Sequence, residues 1–156
     1  MGRPEAAAAL HARCFPEEAW DAASLIQLSL QPGAFALHLI EAEASADGAG
    51  LPAAFLLARL AVDEVELLTL AVAPEQRRQG LATTLLSGLI ARTRPNGGRS
   101  LFLEVAESNR VARAFYDGVG LQTLARRPAY YRNGDDALVM HLEFVNRPPF
   151  NSDVRR

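Results

Sequence analysis

"TLAVAPEQRRQGLATTLLSGLI" (residues 69–90) joins two apolar stretches of different period through a basic turn. Up to Pro74 the apolar residues run almost without a break, the pattern of a buried strand. After Gly80, residues Leu81, Leu85, Leu86, Leu89 and Ile90 recur at helical spacing and fall on one face. The junction holds Arg77 and Arg78 just ahead of the helix start, where unpaired N–H groups already carry partial positive charge. No Ser, Thr, Asp or Asn directly precedes Gly80 to cap those groups. An uncapped, basic, glycine-containing start implies an anion from outside the chain. Only Gly80 and Ala82 are small enough to let a ligand close to the backbone, which suits a compact pyrophosphate. Taken alone, the stretch reads equally well as a solvated basic turn. It is not a nucleotide-triphosphate loop, which needs Gly-Lys-Ser/Thr, nor a dinucleotide fingerprint, which needs three spaced glycines.

The fold follows by working outward. "RPNGG" (94–98) ends the helix, and "SLFLEV" (100–105) returns as a buried strand. Strand, helix, strand is a crossover, so "EVELLTLAV" (64–72) and "SLFLEV" are predicted to be parallel neighbours. Upstream, "AFALHLIE" (34–41) and "LPAAFLLARL" (51–60) complete an antiparallel meander, with "AEASADGAG" (42–50) as a small-residue loop. Helices are predicted over Glu5–Arg13 and Glu17–Leu30, the second with Pro16 at its start and Gln31-Pro32-Gly33 at its end. Downstream, Ser108 is expected to cap the helix "NRVARAFYDG" (109–118), which Gly118 and Gly120 end. "LQTLARR" (121–127) and "DALVMHLEF" (136–144) then flank the connection "PAYYRNGD" (128–135) as the last two strands. The expectation is an α/β fold with a mixed, mostly antiparallel sheet flanked by helices. A single domain over 1–145 is followed by a mobile tail over 146–156.

Composition narrows the function classes. The chain has 156 residues, is 49% hydrophobic and 22% charged, and carries a formal net charge of -2. That balance, without a basic stripe, argues against nucleic acid as a partner. No apolar run reaches membrane-spanning length, and the N-terminal stretch, broken by Glu5, His11 and Arg13, lacks a secretion core. One cysteine, Cys14, excludes an internal disulfide and fits a cytoplasmic location. His11, His38 and His141 have no metal-ligand spacing, so no metal is expected.

Arg77-x-x-Gly80-x-Ala82 resembles the acetyl-coenzyme A pyrophosphate motif of the GNAT N-acetyltransferase superfamily. "LTLAVAPEQRRQGLATTLL" (68–86), "LFLEVAESNRVARAFYDGVGL" (101–121) and "RRPAYYRNGDDALVM" (126–140) together are similar to its RimI-type branch of ribosomal-protein alanine N-acetyltransferases, as is "HARCFPEEAW" (11–20). The departures are Ala82, Arg77 and Leu121, where the branch often has Gly, Gln and Phe.

The resemblance implies acetyl-coenzyme A as co-substrate and the N-terminus of a protein, a ribosomal one, as acceptor. It implies cofactor contacts from Leu70, Ala71 and Val72, from Arg77, Arg78, Gln79, Gly80, Leu81, Ala82 and Thr83, and from Asn109. It places a strand distortion near Leu70–Val72 that frees a backbone N–H. Glu104 is implied as general base and Tyr116 as general acid. Tyr130 and Tyr131 are implied as contacts to the acceptor peptide. By sequence alone Glu104 reads as a solvent-facing edge residue, and the two tyrosines as packing beside the Asn133-Gly134 turn. Asn109, Ala112 or Arg113, and Tyr116 recur at helical spacing, with Phe115 the more natural core residue. Two other readings remain open: a GNAT enzyme acting on lysine or a small amine, and a non-catalytic acetyl-coenzyme A-binding module.

Overall fold

A computed structural model describes residues 3–40, 52–144 and 150. The expected loop at 42–50 and the expected tail lie outside these residues, Phe150 excepted. The element order is α1 (Pro4–Cys14), α2 (Ala22–Ser29), β1 (Ala34–Ile40), β2 (Pro52–Ala61), β3 (Glu64–Val72), α3 (Leu81–Thr93), β4 (Ser100–Ala106), α4 (Arg110–Gly118), β5 (Gln122–Arg127) and β6 (Ala137–Glu143). The six strands form one sheet in the order β1-β2-β3-β4-β6-β5. Among the described residues only β3 and β4 pair in parallel, so the mixed sheet and the crossover are as predicted.

Helices cover both faces. α3 lays Leu85, Leu86, Leu89 and Ile90 on one face, against Leu56, Val65, Leu67, Leu101, Leu103 and Met140. Each such side chain contributes roughly 2 kcal/mol by leaving water. α1 and α2 cover the other face, where Ala7, Leu10 and Leu25 meet Phe55, Leu57 and Ala71.

Two local expectations fail for physical reasons. The second helix begins at Ala22, not Glu17, because Asp21 caps it: its carboxylate accepts the Ser24 N–H at 2.7 Å. Glu17 and Glu18 therefore sit in the α1–α2 connection. Ser108 does not cap α4. Asn109 does, accepting the Ala112 N–H at 3.2 Å, while the Ser108 N–H and hydroxyl both bond Asp135.

The feature that positions everything else is in β3. Its pairing with β2 steps from Thr69↔Leu57 to Leu67↔Ala58, leaving Leu68 as an extra, bulged residue. The bulge reverses the alternation. Val65 and Leu67 face the α3 side before it, and Leu70 and Val72 face that side after it. This accounts for the nearly continuous apolar run "LLTLAV". The distortion expected at Leu70–Val72 thus lies slightly earlier, at Leu68.

Candidate active site

The parallel ladder joins Glu64–Leu67 to Ser100–Leu103 and stops. Directly past the last rung, bulged β3 and the end of β4 part. A cleft of about 390 Å³ occupies the gap. Leu68, Thr69 and Leu70 line one side, and Glu104, Val105 and Ala106 the other. Because the sheet itself is split, residues from both of its faces reach the same space. Glu104 alternates with the core residues Leu103 and Val105, and its side chain is 25% exposed. Tyr116 arrives from α4 on the opposite face.

The cap at Asn109 sets the phase of α4, and Asn109, Ala112 and Tyr116 line the cleft together. Tyr116 is buried and Phe115 only partly so, the reverse of the expected division between them. Once the cap fixes the phase, position 116 stands one turn beyond Ala112 and looks into the split. Burial pushes the Tyr116 phenol well above its ordinary pKa of 10.0, so it stays protonated through neutral pH.

Arg127 Nε lies 3.2 Å from Glu104 Oε1, and the guanidinium stands 5.7 Å over the Tyr130 ring. Hydrogen bonding to Glu104 holds the Tyr130 phenol above its ordinary pKa. Tyr131 lines the cleft itself, its phenol pushed up to about 12 chiefly by burial and then by Glu104 and Glu18. The β5–β6 connection carrying both tyrosines is fastened to the α1–α2 connection. The Arg132 N–H donates to Glu18 at 3.3 Å, and the Asn133 amide donates to Glu17.

Behind that wall, His11 is 3% exposed, stacks on Trp20 at 4.9 Å and lies tilted against Phe15 at 4.7 Å. Its Nδ1 accepts the Trp20 N–H at 3.1 Å, and burial lowers its pKa from 6.5 to about 4. The depressed value means this contribution is complete above pH 6.5 and is lost as pH falls toward 4. At pH 5 the loss is about 2 kcal/mol, or about 4–8 °C in the melting midpoint. Thermal melts of wild type and His11→Gln at pH 7 and pH 5 check this: the variant's midpoint should fall less over the interval.

At the far end of β3 the chain turns into α3. Val72 O accepts Arg77 Nε at 3.2 Å and the Cys14 thiol at 3.3 Å. Arg78 and Gly80 both take left-handed conformations, φ 64 and 78. The first intrahelical bond of α3 runs from the Thr84 N–H to Gly80 O at 2.9 Å, and no side chain caps the N–H groups ahead of it. A Cβ placed on Gly80 meets nothing within 4 Å. The helix end is open to a ligand as well as uncapped.

Of the residues singled out in the sequence, the cleft gathers Leu70, Glu104, Asn109, Tyr116 and Tyr131, with Tyr130 beside Glu104. Ala71 instead packs under α1 and α2, and Val72 against the α3 side. Arg77, Arg78, Gln79, Gly80, Leu81, Ala82 and Thr83 form the α3 end and do not line the cleft. Sequence reasoning missed Arg127, Glu17, Glu18 and His11. The repeated pair Arg126-Arg127 next to the Tyr-Tyr element was the available signal for the first. Among the described residues no group of three His, Cys, Asp or Glu side chains could hold a metal ion. Nor is any helix long and apolar enough to cross a membrane.

Known proteins share this fold. The sequence pattern described as the Acetyltransferase (GNAT) family matches residues 5–121. The [ribosomal protein bS18]-alanine N-acetyltransferase of Escherichia coli (strain K12) is 38% identical over 96 residues, 60% of this chain and 65% of its own. The protein of that name from Haemophilus ducreyi is 38% identical over 93 residues, 57% of this chain and 64% of its own. The matched stretch thus spans just under two thirds of these relatives' length. The crystal structure of the ribosomal-protein-S18-alanine N-acetyltransferase from Escherichia coli superposes with a TM-score of 0.77 at 29% identity, covering 90% of this chain and 86% of that one.

Proposed function

The chain belongs to the acetyltransferase (GNAT) family, and from that premise we propose that it transfers the acetyl group of acetyl-coenzyme A to the N-terminal α-amine of a protein. Alanine is the first residue and a ribosomal protein the acceptor, which places the reaction in the cytoplasm. The observation that carries the reading is the split sheet, where Glu104 and Tyr116 from opposite faces line one cleft. The relatives named for alanine N-acetylation support the choice of acceptor.

The residues present fit acetyl-coenzyme A. The uncapped α3 end with its open Gly80 suits the pyrophosphate. The gap beyond the Leu68 bulge suits the pantetheine arm, with Leu70, Ala71 and Val72 offering backbone groups and Asn109 its amide N–H₂. When bound, acetyl-coenzyme A supplies an acetyl thioester activated toward an amine. Glu104 takes the proton of the acceptor amine as the C–N bond forms. Tyr116, protonated at neutral pH, gives its proton to the sulfur as the C–S bond breaks. Tyr130 and Tyr131 bound the acceptor side.

The α-amine suits a single carboxylate base. A chain-terminal amine has a reference pKa near 7.7–8.0, so roughly a third is neutral at pH 7.5, against about one lysine in a thousand. Incubating the protein with acetyl-coenzyme A and peptides that differ in their first residue, then locating the label by mass spectrometry, tests the reading. Label on the α-amine of Ala-first peptides is expected. Label on internal lysines, or unchanged rates with a blocked N-terminus, refutes it. This chain contains no lysine of its own, so lysine label in the mixture reports the peptide alone.

The pyrophosphate assignment is tested by Gly80→Glu. Space exists for the side chain, and the left-handed backbone costs about 1 kcal/mol. Calorimetric titration should show acetyl-coenzyme A affinity falling on the order of tenfold to a hundredfold, while the protein remains folded. Unchanged affinity moves the pyrophosphate elsewhere.

A further inference from the structure

Glu104 is not a free carboxylate. β6 lies between β4 and β5, and the register places Arg127, Ala137 and Ala106 in one row. The guanidinium thus crosses the small Ala137 to reach Glu104, with Nε 3.2 Å from Oε1. Tyr130 packs beneath it at 5.7 Å. The other ionisable groups around the cleft are Tyr116, Tyr131, Glu17, Glu18 and His11. Glu66 of β3 stands close enough to act on Tyr130. His11 is neutral at pH 7, and among the described residues no arginine lines the cleft. Arg127 is therefore the cation that the surrounding elements place on Glu104.

We propose that Arg127 is a positioning residue that balances the charge of Glu104, so that the acceptor binds as the reactive neutral amine instead of being trapped as its ammonium. The inference rests on the proposed function, with Glu104 as base. An ammonium and a guanidinium compete for the same carboxylate. Without Arg127, the cleft presents Glu104, Glu17 and Glu18 to an incoming ammonium uncompensated. Such a site binds the protonated acceptor more tightly and releases its proton less readily. Affinity rises while the productive fraction falls, a ground-state trap. With Arg127 in place, Glu104 is held by the guanidinium at Oε1 and by the hydrogen bond with the Tyr130 phenol.

The test is steady-state kinetics of the full chain with acetyl-coenzyme A and a short peptide beginning with Ala. Arg127→Gln, Arg127→Lys and Glu104→Gln are compared with wild type between pH 7 and pH 9. For a partly exposed pair, Arg127→Gln should lower the peptide KM about threefold and kcat about fivefold at pH 7. The kcat deficit should close toward pH 9, where the α-amine is neutral without help. Arg127→Lys should restore most of both constants at pH 7. A residue that merely packs would not lower KM and kcat together or respond to pH in this way. A raised peptide KM in Arg127→Gln, a deficit independent of pH, or wild-type constants overturns the proposal. Glu104→Gln separates the two readings. If it is slow while Arg127→Gln behaves as wild type, only this inference fails. If Glu104→Gln itself turns over at the wild-type rate, the base assignment fails and this inference with it.

Discussion

Glu104→Gln lowers turnover of an Ala-first peptide by about a hundredfold or more at pH 7, the scale of a positioned general base. The substitution keeps the shape of the side chain and removes its charge and basicity. Its structural cost is small, because the ion pair it breaks, with Arg127, is half exposed on the arginine side. Stopped assays across pH supply the sharper readout. The deficit should narrow in part as pH rises, since more of the α-amine then arrives neutral and only the proton released on C–N bond formation remains to be taken up. A deficit that stays constant to pH 9 would point to orientation instead of proton transfer.

Tyr116→Phe is expected to lower kcat by about a hundredfold or more while acetyl-coenzyme A affinity changes less than about threefold. The ring fills the same place in the core between α4 and the sheet, so packing is retained. What goes is the hydroxyl and its proton. Donation to a departing sulfur matters only as the bond breaks, so the loss falls on kcat and not on binding. Pre-steady-state mixing with fluorescence-detected cofactor titration distinguishes the two constants. Wild-type kcat would leave Tyr116 as a packing residue.

Much of this architecture can be read in the linear sequence, wherever a signal is local. The change of period across Pro74–Gly80 marks strand, turn and helix, and the crossover rule then makes β3 and β4 parallel. The missing cap at Gly80 is visible because a cap must stand next to the helix it serves. What escapes is set by competition or by distance. Both Ser108 and Asn109 could cap α4, and Asp135, distant in sequence, decides between them by binding Ser108. That choice fixes the helix phase and hence sends Tyr116, not Phe115, toward the split. Glu17 to Asp21 has helical composition, but the Asp21 cap and the stacking of Trp20 on His11 end that option. The Leu68 bulge hides in an apolar run that a continuous buried strand would also produce. Arg127 and Glu104 meet only because β6 threads between their strands, a fact of topology that no short window contains.

The four-rung ladder between β3 and β4 has a mechanical meaning. The sheet is two blades, β1–β3 and β4–β6–β5, held edge to edge by a short seam. The seam brings Glu64 beside Ser100 and cannot close until the crossover carrying α3 has docked, so it belongs to the late events of folding, after the β2–β3 hairpin. A molecule lying in the gap touches both blades and works as a splint. Its binding free energy is lost whenever the blades swing apart. Amide exchange along the seam should then slow with occupancy of the gap, while exchange at the far β1 edge keeps its own pace.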